Sequence, residues 1–116
     1  MLQPFDAEND LSPMGFPAGG YANAVGVSVE WQDKPLREEP DGKPTGAFVE
    51  TLIAMVVKRI EFYQKHVPCR ENELALMHLD AALAFLNART QRRIVLGVEG
   101  THEEPGDGTL ADQVVP

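Results

Sequence analysis

Between Gly46 and Gly97 the chain carries two amphipathic patterns that meet at Val67-Pro68-Cys69. In the first, Phe48, Leu52, Val56, Ile60 and Tyr63 recur at helical spacing, with Val49, Ile53 and Val57 beside them, and together they form a wide apolar face. Pro68 has no amide hydrogen and its ring crowds the preceding turn, so the helix stops and the chain turns. A second helix is predicted from Arg70, with one stripe at Leu76, Leu79, Leu83 and Leu86 and another at Leu74, Met77, Ala81 and Phe85. Cys69 stands at its capping position, and Glu71 and Glu73 fall in the first turn, where the positive end of the helix dipole favours them. Arg89, Arg92 and Arg93 occupy its last turns, and Gly97 ends it. Two stripes per helix are more than one hairpin can cover, so the pattern predicts hairpins that associate into a symmetric oligomer.

The flanks read differently. Residues 1–24 mix Pro4, Pro13, Pro17 and several glycines with scattered Leu2, Phe5, Leu11, Met14 and Phe16, which predicts an irregular segment draped over a neighbouring surface. Val25, Val27, Val29 and Trp31 alternate with Gly26, Ser28, Glu30 and Gln32, the pattern of a strand with one buried face. A turn at Gln32-Asp33-Lys34-Pro35 would return Leu36-Arg37-Glu38-Glu39 as a second short strand, stopped by Pro40. Asp41-Gly42-Lys43-Pro44 is then a loop, and Thr45 caps the first helix. The expected fold class is mainly α, an antiparallel two-helix hairpin preceded by a short β-ribbon and assembled into an oligomer. Its parts are the irregular segment 1–24, the ribbon and hairpin over 25–97, and an acidic, flexible tail over 98–116.

Charge sharpens this division. The 116 residues carry a net charge of −8, which argues against coating long nucleic acid or lying on an anionic membrane. From Gly46 to Leu96, however, Lys58, Arg59, Lys65, Arg70, Arg89, Arg92 and Arg93 outnumber Glu50, Glu61, Glu71, Glu73 and Asp80. The hairpin is mildly basic, and the acidity lies in the flanks. A single cysteine makes no internal disulfide and suits a reducing cytoplasm. There is no long apolar run and no signal-peptide pattern, so a soluble, unexported protein is expected.

Catalytic chemistry is sparse. His66, His78 and His102 are scattered, and no His-Glu-x-x-His, paired-cysteine or glycine-rich phosphate motif is present. Cys69 reads as a small residue of the capping region rather than a nucleophile. The sequence is that of a binder, with no catalytic set, no metal site and no cofactor expected. Arg89, Arg92 and Arg93 cluster at one helix end with Arg70 at the other, and planar guanidinium groups suit phosphate because they donate two parallel hydrogen bonds. The competing reading is a solvated helix end whose cations complement the dipole. Trp31, Phe62, Tyr63 and Tyr21 are rings able to stack on a base, although Trp31 is equally placed to cover the hairpin core.

One run carries a resemblance: Val67-Pro68-Cys69-Arg70-Glu71-Asn72-Glu73-Leu74-Ala75-Leu76-Met77-His78-Leu79-Asp80-Ala81-Ala82-Leu83. It continues through Phe85-Leu86-Asn87-Ala88-Arg89-Thr90, Arg93 and Gly97-Val98-Glu99-Gly100-Thr101-His102. This resembles the helical hairpin domain shared by phage sponge proteins that counter the CBASS and Thoeris antiviral systems. Trp31-Gln32-Asp33-Lys34-Pro35-Leu36 and Gly46-Ala47-Phe48-Val49-Glu50-Thr51-Leu52 are similar to the ribbon and helix start of longer members. The similarity covers about residues 25–104, and the first 24 residues match nothing in it. The short aromatic segment that precedes the hairpin in compact members is not recognisable here.

The resemblance implies a phage or prophage protein that sequesters cyclic di- or trinucleotides, or cyclic ADP-ribose isomers, in the cytoplasm of the infected host without cleaving them. It implies a hexamer with pockets between protomers, where Arg70, Arg89, Arg92, Arg93, Thr101 and His102 meet. There the arginines would hold phosphate, and Trp31 or Tyr63 would stack on a base. Two other classes are weighed beside it. A phosphodiesterase or lyase acting on the same messengers lacks its metal or acid–base set. A protein–protein module would dock a host or virion protein through the apolar hairpin face.

Overall fold

The computed structural model describes residues 1–95, which form two units, a sheet unit over residues 1–48 and a helical unit over residues 49–95. The sheet unit holds three antiparallel strands in the order β1-β2-β3, with β1 over Phe5–Leu11, β2 over Pro17–Ala24 and β3 over Val27–Glu30. This corrects the irregular segment expected over 1–24. Neither β1 nor β2 is rich in the branched and aromatic residues that announce a strand, and both are held by their pairing.

The register sorts the sheet into two faces. Phe5 opposes Ala24, which opposes Val27, and Ala7 opposes Ala22, which opposes Val29, so these six share an apolar face. On the other face Asp6, Asn23 and Ser28 form one row, and Glu8, Tyr21 and Glu30 the next. Val29 is buried, whereas Phe5 is 70% exposed and every residue of β1 is exposed. Gly20 lies against β1 so closely that a Cβ there would come within 2.3 Å of the Glu8 carbonyl oxygen. Its φ of 130° also lies outside the range of ordinary L-residues.

The second strand of the expected ribbon is absent. Leu36–Glu38 forms a 3₁₀ turn, and β3 pairs with β2 instead. Trp31 lies beyond the end of β3 and bridges in parallel to Ala47. The Trp31 amide donates to the Gly20 carbonyl, the Ala47 amide to the Glu30 carbonyl, and the Gln32 amide to the Ala47 carbonyl. Thr45 does not cap the first helix, because its hydroxyl donates to Glu39 and the helix begins at Val49.

The helical unit consists of α1 over Val49–His66 and α2 over Arg70–Val95, packed on each other. The three-residue link Val67-Pro68-Cys69 makes them a hairpin. The Cys69 sulfur accepts from the Asn72 amide at 3.4 Å and so does act as the cap of α2. The seam draws on both expected stripes of α1 and mainly on one of α2: Val57 is buried, and Ile53, Ile60, Leu76, Leu79, Leu83 and Leu86 are half-buried. Exposed apolar surface remains at Val56 and Tyr63 of α1 and at Met77 and Phe85 of α2, and also at Met55 and Phe62, which lie outside both expected stripes. A fully buried aliphatic side chain contributes about 1.5–3 kcal/mol, and a half-buried one correspondingly less. The hairpin is therefore thinly held by its own seam. The expected helix end at Gly97 and the tail over 98–116 lie outside the described residues. Among the described residues, no helix is long and apolar enough to cross a membrane.

Candidate ligand-binding site

Groups suited to an anionic, ring-bearing ligand collect at the two ends of the hairpin. At the turn end, helical spacing sets Arg59, Phe62, Tyr63 and His66 on adjoining positions of the last turns of α1. The Arg59 guanidinium carbon lies 5.2 Å from the Phe62 ring centre and 4.8 Å from that of Tyr63. Arg59 Nε also donates to the Tyr63 hydroxyl at 3.1 Å. The His66 ring sits 4.7 Å from Phe62, tilted by 49°. A cation over the faces of two rings is attracted by their quadrupoles, and the hydrogen bond to Tyr63 fixes its plane. The result is an exposed platform of rings with a cation already oriented among them. Arg70, the first residue of α2, follows immediately after the turn.

At the open end Arg89, Arg92 and Arg93 fall at i, i+3 and i+4 of α2, neighbouring positions on the helix surface. Arg89 is exposed and Arg92 is half-buried. Arg70 stands nineteen residues before Arg89 on the same helix, which at 1.5 Å per residue places it about 28 Å away. One chain therefore brings Arg89, Arg92 and Arg93 together and keeps Arg70 and Tyr63 apart from them. Thr101 and His102 lie outside the described residues.

Trp31 is half-buried within the sheet unit, and the residues that follow it build a polar knot. Gln32 Oε1 accepts from the amides of Thr45 at 2.9 Å and Gly46 at 2.7 Å. Its Nε2 donates to the Lys34 carbonyl at 2.8 Å and to Glu39 Oε2 at 3.3 Å. Glu39 is buried, accepts a 2.5 Å hydrogen bond from the Thr45 hydroxyl, and pairs with the Lys34 ammonium at 3.2 Å. The Thr45 hydrogen bond, helped by those of Gln32 and Lys34 against the opposing effect of burial, holds its carboxyl below the ordinary value of 4.5.

The polar face of the sheet has the opposite character. The Tyr21 hydroxyl faces Asp6 at 3.1 Å and Glu8 at 3.3 Å, and these carboxylates hold its phenol above 10.0, the Asp6 hydrogen bond foremost. With Glu30 opposite Tyr21, this face repels phosphate. Tyr21 is therefore no candidate for stacking beside an anionic ligand.

Sequence reasoning weighed Phe62 and passed over Arg59, although Arg59, Phe62, Tyr63 and His66 stand at the i, i+3, i+4, i+7 spacing of one helix face. It missed Glu39 altogether, because a residue read as part of an edge strand gives no signal of burial.

Residues 31–91 match the family described as Acb2/Tad1, hairpin domain. This chain belongs to the Acb2/Tad1 hairpin family. It is also 48% identical over 79 residues to Thoeris anti-defense 1 of Bacillus phage SBSphiJ7, in an alignment that takes in 67% of this chain and 54% of that protein. The matched region thus spans about half the length of that relative. The Acb2/Tad1 match begins at Trp31 and contains the knot, the aromatic platform, Arg70 and Arg89, whereas all three strands precede it.

Proposed function

We propose that this chain is a phage immune-evasion protein that binds cyclic nucleotide messengers of bacterial antiviral signalling and holds them intact. It would act in the cytoplasm of the infected host. The observation that carries the reading is the 48% identity over 79 residues to a phage Thoeris anti-defense protein. The geometry adds support. A ring platform with its cation and an arginine cluster lie at opposite ends of one hairpin, and copies assembled through the exposed stripes would bring unlike ends together. In such a junction Arg70, Arg89, Arg92 and Arg93 hold phosphate, Tyr63, Phe62 or Trp31 stacks on a base, and Thr101 and His102 complete the wall. The candidate ligands are cyclic ADP-ribose isomers and cyclic di- and trinucleotides. Sequestration is competition: protein in excess lowers the free messenger below what its effector needs.

The test is a thermal-shift screen against cyclic ADP-ribose isomers and cyclic di- and trinucleotides, followed by chromatography of the ligand released on heating. A bound ligand at one hundred times its Kd stabilises the native state by about 2.7 kcal/mol, and the recovered ligand is expected unchanged. Arg89→Ala should weaken that binding by tenfold or so, the scale of a lost charge-assisted hydrogen bond, with little change in melting temperature without ligand. Recovery of a cleaved product would make the protein an enzyme. No shift across the panel, with one host or virion protein co-purifying, would assign the apolar hairpin face to a protein partner instead.

A further inference from the structure

Glu39 is the buried charged residue of the sheet unit, and it sits in a loop rather than in a core. Leaving a carboxylate there costs solvation, which an apolar residue of the same size would avoid. Its hydrogen bonds indicate what it does. The Gln32 amide can point two ways, and only one puts Oε1 on the Thr45 and Gly46 amides. A carboxylate accepts and does not donate, so Glu39 Oε2 selects the orientation in which Gln32 Nε2 faces it. Through that choice the segment at Thr45–Ala47 is fastened beside Trp31–Gln32, where the Trp31–Ala47 bridge forms.

We propose that Glu39 is a positioning residue for Trp31, fixing the indole for ligand stacking through the Gln32 amide without touching the ligand itself. This rests on the reading of Trp31 as a base-stacking residue. The charged group that faces Glu39 is Lys34, and its other partners are Gln32 and Thr45. Glu30 and Asp33 are the other carboxylates near Trp31 in sequence.

Trp31 is the single tryptophan of the chain, so its fluorescence reports this segment without labelling. The experiment compares the wild type, Glu39→Gln and Thr45→Val, first without ligand from pH 7 to pH 3 and then with cyclic ADP-ribose and cyclic di-AMP as probes. A cooperative melting curve followed by Trp31 emission confirms that the sheet unit of each variant is folded. Glu39→Gln at pH 7 is expected to show the emission that the wild type reaches only in acid, and to lose the acid transition. An emission change that persists in Glu39→Gln would have a source other than Glu39. Affinity for whichever probe the wild type binds should fall about tenfold, with Thr45→Val in the same direction by less. If Glu39→Gln fails to fold, Thr45→Val decides in its place. Wild-type emission and affinity in the variants would overturn the positioning role. Binding of neither probe by the wild type would count against the ligand reading, and the emission comparison would still decide whether Glu39 sets Trp31.

Discussion

Tyr21 shows how far a single side chain is governed by its cross-strand neighbours. Its hydroxyl has one proton and two carboxylates within reach, Asp6 and Glu8, and ionising it would place a third negative charge beside them. The folded phenol therefore titrates above 10.0. Because the folded value is raised, the stabilisation is fully present below the unfolded value and is lost as pH rises through the folded one. In a Tyr63→Phe background, which leaves Tyr21 as the only tyrosine, the phenolate absorbance should develop above pH 10.0. Adding Asp6→Asn should bring the midpoint back down. A midpoint unmoved by Asp6→Asn would mean that the pair does not form in solution. Glu39 follows the opposite sign. Its depressed carboxyl holds the knot at every pH above the ordinary carboxylate range and releases it only as the solution becomes strongly acidic.

Among the elements, the junction between Trp31 and Ala47 is closely packed. A Cβ on Gly46 would lie 2.6 Å from the Gln32 nitrogen and 2.7 Å from the Trp31 carbonyl carbon and oxygen, all backbone atoms that cannot turn aside. Gly46→Ala should cost about 1–3 kcal/mol, the usual range for overpacking, read as a lower melting temperature together with altered Trp31 emission. A wild-type melting curve would show that the bridge yields. The helices were legible because a 3.6-residue period survives in the sequence wherever one face packs, and the break at Pro68 needs no tertiary information. The strands were not. Asp6, Glu8, Asn9 and Asp10 resemble a solvated tail, and the glycines of β2 resemble a loop, until pairing places Tyr21 between Glu8 and Glu30. Leu36–Glu39 was misread for a related reason: Gln32 satisfies the Thr45 and Gly46 amides with its side chain, work that a returning strand would otherwise do with backbone. Of the site, the arginines were legible from type and spacing. The stacking of Arg59 on Phe62 and Tyr63 was implicit in theirs.

For the whole molecule, the exposed stripe through Met55, Phe62, Met77 and Phe85 is more apolar surface than a small hairpin with one buried valine leaves open without a use. Light scattering should give a mass several times the 12.7 kDa of the chain, and a value of 12.7 kDa would remove the junction between copies on which the proposed pocket depends. Stoichiometric capture, as proposed above, would require the protein to accumulate to high concentration without precipitating, and β1 bears on that requirement. Its outer edge is open and all its residues are exposed, the configuration that elsewhere seeds fibres. Yet two copies of β1 meeting antiparallel about a two-fold axis would set Glu8 against Glu8, Asp6 against Asp6, or Asp6 against Glu8 in successive face-matched registers, each a repulsion between directly opposed like charges. The acidity that bars phosphate from the sheet thus also serves as a colloidal safeguard, letting the protein be made in bulk while its sticky surfaces find only their intended partners.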